Sequence, residues 1–104
     1  MIVADVDIVA YLLIAGDRSD AARAVWERDP AWRLPPLWRY EFLNILAAVG
    51  SSQRVSPADL SITWERALQI VGGGEQEPDL ESALSIALEY DLSAYHAQYV
   101  ALAL

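Results

Sequence analysis

The stretch that most constrains this chain is its beginning. Ile2-Val3-Ala4 is an apolar run that ends in a carboxylate, Asp5, skips one residue and reaches a second carboxylate, Asp7. So short a run suits one buried strand rather than a helix. Directly after it Ile8, Tyr11, Leu12 and Ala15 recur at helical spacing, and Gly16 supplies a stop. The chain therefore reads as strand, acid-x-acid, helix. In an α/β sheet the carboxyl end of a strand opens into the ligand crevice. Two carboxylates there would collect a divalent cation or serve as nucleophile and acid/base. Asp7 also has an ordinary role open to it as helix N-cap, where Asp is favoured. Asp5, fixed by the strand that leads into it, is the stronger functional candidate.

Composition narrows the class. With 104 residues, 55% of them hydrophobic and four Trp and five Tyr among them, the chain is expected to form one folded domain over 1–104. No uncharged apolar stretch is long enough to span a bilayer, and no basic segment opens the chain, so neither membrane insertion nor a signal peptide is expected. Without cysteine there is no disulfide framework and no thiolate chemistry, which makes the cytoplasm the expected location. The net charge of −8 argues against broad electrostatic binding to nucleic acid. It allows a nuclease whose metal ions offset the acids of its own site. All seven basic residues are Arg, which removes lysine-based chemistry.

Further along, Ala21, Ala22, Val25 and Trp26 share one side of a second helix, with Ser19 as N-cap and Asp29-Pro30 as its end. Trp32-Arg33-Leu34, closed by Pro35-Pro36, predicts a second strand. Leu37 to Val49 is the most apolar helix, and between Pro36 and Gly50 only Arg39, Glu41 and Asn44 are strongly polar. Glu41 and Asn44, at i and i+3, share a face. A charge in such a run must face solvent, find a partner or line a site. Ser56-Pro57-Ala58-Asp59 starts a helix that runs through Leu60, Trp64, Leu68 and Val71 to Gly72-Gly73-Gly74. Glu75 to Pro78 is a connector or an edge strand. Asp79 caps a helix whose Leu80, Ala83, Leu84, Ala87 and Leu88 form one apolar stripe. Ser93 caps a last helix, Ala94 to Leu104, with His96 at its third position. This alternation of single strands with helix pairs predicts an α/β sandwich with a parallel sheet.

Three stretches together resemble the PIN domain, and within it the bacterial VapC-type toxins. That family opens with a strand and Asp-Thr-Asn before the first helix, and Ile2 to Ile8 matches with two changes. Its central helix carries Tyr-Glu-Phe-Leu-Asn, matched without change by Tyr40-Glu41-Phe42-Leu43-Asn44. A late helix begins Leu-Ser-Ala-Tyr-Asp-Ala-Gln-Tyr, matched by Leu92 to Tyr99 except that His96 replaces the acid. The resemblance covers nearly the whole chain. It implies a three-layer α/β/α sandwich with a short parallel sheet, lacking the last strand region, because the family's fourth acid lies on a strand beyond Leu104. It implies a metal-dependent ribonuclease that hydrolyses RNA phosphodiester bonds with Mg²⁺ or Mn²⁺ held by carboxylates. Carried over by motif, Asp5 and Glu41 are the catalytic, metal-holding acids, Asn44 supports them, and His96 stands where a third acid is expected. Asp7 replaces the Asn of the opening motif and adds a carboxylate. The resemblance also implies a homodimer neutralised by a small antitoxin protein.

The chemistry sets what the substitution means. Phosphodiester hydrolysis uses a metal to polarise the phosphate and activate water, and hard cations prefer oxygen ligands. A His ligand shifts the preference from Mg²⁺ toward Mn²⁺ or Zn²⁺. A lone His at a helix start, with no His or Cys companion, also reads as a hydrogen-bonded surface residue. Two other functional readings stay open. Asp5-Val6-Asp7-Ile8-Val9 is similar to the first motif of haloacid dehalogenase-type phosphatases, with Asp5 as nucleophile and Asp7 as acid/base, although that family's phosphate-binding Lys is missing. A PIN-like scaffold that no longer cleaves and survives as a binding protein fits the loss of the third acid.

Overall fold

In the computed structural model, which describes residues 1–14 and 16–104, β1 (Ile2–Val3) and β2 (Trp32–Arg33) pair in parallel. Ile2 stands opposite Trp32 and Val3 opposite Arg33. Between the strands run α1 (Val6–Leu13) and α2 (Ser19–Arg28). After them come α3 (Trp38–Gln53), α4 (Pro57–Val71), a 3-10 turn (Gly72–Gly74), α5 (Leu80–Tyr90) and α6 (Ala94–Ala103).

The architecture departs from the expected three-layer α/β/α sandwich. The chain is mostly helical, and the sheet among the described residues has two strands of two residues each. At about 3.3 Å per residue such strands are too short to separate two layers of helices. The extended segment after α4 adds only one parallel bridge, Leu34 with Glu75, in which Leu34 N–H donates to Gly74 O and Gln76 N–H donates to Leu34 O. The 3-10 turn before it and Pro78 after it, which has no N–H to give, keep it from growing into a strand.

Helix starts follow local chemistry. Ser56, Asp79 and Ser93 cap α4, α5 and α6 with their side chains, as their positions predict. For α1 the cap is Asp5 and not Asp7: Ala4 N–H donates to Arg33 O at 2.9 Å, which holds the chain extended as far as Asp5. Ser19 is the first residue of α2 and not its cap; its hydroxyl accepts from Gly16 N–H and donates to Ile14 O. α3 continues through Gly50 to Gln53 instead of stopping at Val49. Gly50 is there for contact: a Cβ on it would lie 2.8 Å from Leu60 Cδ1 of α4.

Trp38, Phe42, Leu34, Val9 and Val71 form the fully buried centre of the main core, with Trp64 stacked on Phe42. On α1 the buried residues are Val6, Val9 and Ala10, one step round the helix from the expected Ile8, Tyr11 and Leu12; Ala15 lies outside the described residues. On α2 Ala22 is buried and Ala21 is exposed. A second small cluster, Ala83, Ile86 and Ala97, joins α5 to α6. It leaves Leu80, Leu84 and Leu88 of the expected stripe 55%, 57% and 77% exposed. α6 packs against β1, and through it the α5–α6 hairpin meets the rest of the molecule. Among the described residues no helix is long and apolar enough to cross a membrane.

Candidate functional site

The end of β1 places Asp5 at the start of α1, where its Oδ1 accepts from Asp7 N–H at 2.9 Å. One carboxylate oxygen is committed to the cap and Oδ2 is free of it. Asp7 follows in the first turn of α1, and both side chains are exposed. Glu41 comes from the first turn of α3, whose rotation is fixed by the fully buried Trp38 and Phe42. Glu41 is half-buried, and its Oε1 accepts from the Tyr99 hydroxyl of α6 at 2.6 Å. A donor to a charged acceptor makes one of the stronger hydrogen bonds in proteins.

Tyr99 bonds to Glu41 and feels the charges of Asp5 and Asp7. Burial, then the hydrogen bond to Glu41, then the negative charges of Glu41, Asp5 and Asp7 push its phenol well above the ordinary tyrosine value. The hydroxyl is therefore protonated, and a donor, at every physiological pH. Among the described residues no basic side chain pairs with Asp5, Asp7 or Glu41; the ion pairs are the N-terminal ammonium with Asp29 and Arg39 with Glu75. Arg39, close to Glu41 in sequence, is turned away by Glu75, which also accepts from Trp38 Nε1 at 2.7 Å.

Asn44 is exposed and lines an open cleft of about 430 Å³ together with Leu37, Tyr40, Glu41 and Tyr95. His96 is exposed in the first turn of α6; its backbone N–H donates to Ser93 Oγ at 3.0 Å, and its side chain makes no hydrogen bond among the described residues. So Glu41 is tied to Tyr99, whose phenol also feels Asp5 and Asp7, Asn44 shares the cleft with Glu41, and the His96 side chain takes part in none of these contacts.

The donor set suits an oxygen-preferring cation such as Mg²⁺ or Mn²⁺ in kind. Its arrangement is incomplete: among the described residues no group of three or more His, Cys, Asp or Glu side chains is gathered closely enough to hold a metal ion. Tyr99, the last residue of the Leu92 to Tyr99 match, is the site residue to which sequence reasoning gives no role. No local pattern signals it, because its partner Glu41 lies 58 residues away in the chain. No protein-family model matches the chain, and no curated protein matches it significantly.

Proposed function

We propose that the chain is a divalent-metal-dependent ribonuclease of the PIN-domain, VapC-like type, with Asp5 and Glu41 as its metal-holding acids. The observation that carries the reading is the Tyr99 hydroxyl bonded to Glu41 Oε1, on a helix that packs against the strand leading into Asp5, with no cation paired to Asp5, Asp7 or Glu41 among the described residues. A bound Mg²⁺ or Mn²⁺ would polarise the scissile phosphate and supply a water of lowered pKa. The chain's own part is positional. Tyr99 holds Glu41 through Oε1 and leaves Oε2 for the ion; the cap at the start of α1 does the same for Asp5. Asp7 adds negative charge beside them, and His96 offers an imidazole nitrogen in place of a third carboxylate. With this reading go an RNA substrate, a cytoplasmic location, an antitoxin partner and a homodimer, whose need for apolar contact the exposed Leu80, Leu84 and Leu88 would serve.

The test is calorimetric titration with Mg²⁺ and Mn²⁺, followed by cleavage of a structured RNA. Asp5→Ala and Glu41→Ala are expected to weaken ion binding about tenfold or more, roughly 1.4 kcal/mol, and to abolish cleavage. Glu65→Ala and Glu81→Ala should do neither, and His96→Asp should tighten Mg²⁺. Equal ion affinity in all the variants would remove the shared site. The exposed His96 and the lack of a three-ligand group among the described residues favour a second reading, a PIN-like scaffold that binds partners without cleaving. Ion binding with no cleavage by either wild type or His96→Asp would select it.

A further inference from the structure

The cleft beside Glu41 carries two side chains that hydrolysis does not use. Tyr40 of α3 is 71% exposed and Tyr95 of α6 is 62% exposed, and both line it. Among the described residues neither ring packs on another aromatic ring and neither hydroxyl forms a hydrogen bond, unlike Tyr99 a turn further on. Asn44 lies one helical turn after Tyr40, on the same side of α3, and lines the same cleft. The lining holds one carboxylate and no Arg, so a phosphate would find no partner in it.

We propose that this cleft binds an unpaired nucleobase, stacked on the Tyr40 and Tyr95 rings with its edge hydrogen-bonded to Asn44. A tyrosine ring offers a π-face to any base, and base–aromatic stacking tolerates sequence. The Asn44 amide has both donors and an acceptor, so it meets the edge of either a purine or a pyrimidine. Bases inside a duplex have no free face, so the cleft selects single strands, loops and ends. Because the phosphates are not the anchor, affinity should depend weakly on salt. The choice of a nucleobase rests on the ribonuclease reading, but binding itself requires no cleavage.

The experiment uses the full chain and a five-nucleotide single-stranded RNA, labelled for fluorescence anisotropy, in EDTA so that no strand is cut. Wild type is expected to bind, with less than a twofold change in Kd between 50 and 200 mM salt and at least tenfold weaker binding of a duplex of the same sequence. Tyr40→Ala and Tyr95→Ala should each weaken binding roughly tenfold. Both residues are exposed, so folding is not at stake, and Tyr90→Ala, 64% exposed on α5 outside the cleft, should bind as wild type. No binding by wild type, or unchanged affinity in both cleft variants, would overturn the inference. The two claims fail separately. Binding lost in Tyr40→Ala and Tyr95→Ala without any cleavage by wild type sinks the ribonuclease and keeps the cleft. Cleavage with unchanged KM in both variants keeps the ribonuclease and sinks the cleft.

Discussion

Tyr99→Phe is the sharpest probe of the acidic site, because it removes one oxygen and keeps the ring. The lost hydroxyl donates to Glu41 Oε1 at 2.6 Å in a part-buried setting. A hydrogen bond to a charged group contributes about 1.5–3 kcal/mol, and partial solvation of this one brings the expectation to about 1–2 kcal/mol at pH 7. In a domain of this size that lowers Tm by about 5–10 °C. The pH dependence carries a second signature. The Tyr99 phenol is raised in the folded state, first by burial and then by Glu41, so the unfolded chain gives up its proton first. Its contribution is fully present below the ordinary phenol value of about 10 and is lost as pH climbs from there toward the folded value. Over that window the unfolded state binds fewer protons, and stability falls by up to about 1.4 kcal/mol per pH unit for this one group. Tyr99→Phe lacks that slope, so its stability deficit should shrink above pH 10. Thermal unfolding of both proteins by circular dichroism from pH 7 to 11 measures it. Equal Tm at pH 7, together with parallel alkaline limbs, would refute the account of Tyr99.

Two further substitutions test how the short sheet is tied to α3. A Cβ on Gly74 would stand 1.9 Å from the backbone oxygen of Trp32, so Gly74→Ala should destabilise by about 3 kcal/mol or more in urea denaturation, while Gly73→Ala, with open space around it, should stay within about 0.5 kcal/mol. Glu75→Ala strips the acceptor from the fully buried Trp38 indole and from Arg39, with an expected loss of about 1–3 kcal/mol, most of which Glu75→Gln should restore because its amide oxygen still accepts.

What the sequence made readable was chemistry within reach of a few residues. Ser56, Asp79 and Ser93 each accept a backbone N–H two or three positions on, so their helices start where the residue types say. Choosing between Asp5 and Asp7 as the cap of α1 required a distant fact, the bond from Ala4 N–H to Arg33 O that decides how far the strand extends. The buried face of α5 differs from the expected stripe for a similar reason. Leu80, Leu84 and Leu88 are the larger apolar residues, yet the small Ala83 and Ala97 are what let α5 and α6 approach, so burial went to their side. The helix expected to end at Val49 runs on through Gly50, the place where Leu60 of α4 comes close. The width of the sheet was not readable at all. It depends on how many residues of each extended segment find a partner, and here Pro35-Pro36 and the Gly72–Gly74 turn leave room for very few.

Within the candidate site, the motifs single out Asp5 and Glu41 and give no role to the Tyr99 hydroxyl that bonds to Glu41. Tyr99 lies 58 residues from Glu41 in the chain, and a hydroxyl–carboxylate pair has no periodicity to betray it. The choice of a phenol matters for what the site can do. An Arg in its place would pair with Glu41 as Arg39 pairs with Glu75 and would bring a fixed positive charge beside it. A neutral donor fixes one oxygen of Glu41 and contributes no charge. Asp5, Asp7 and Glu41 are thus left without a cationic partner among the described residues. His96, exposed and without a side-chain hydrogen bond among the described residues, adds no negative charge to these acids.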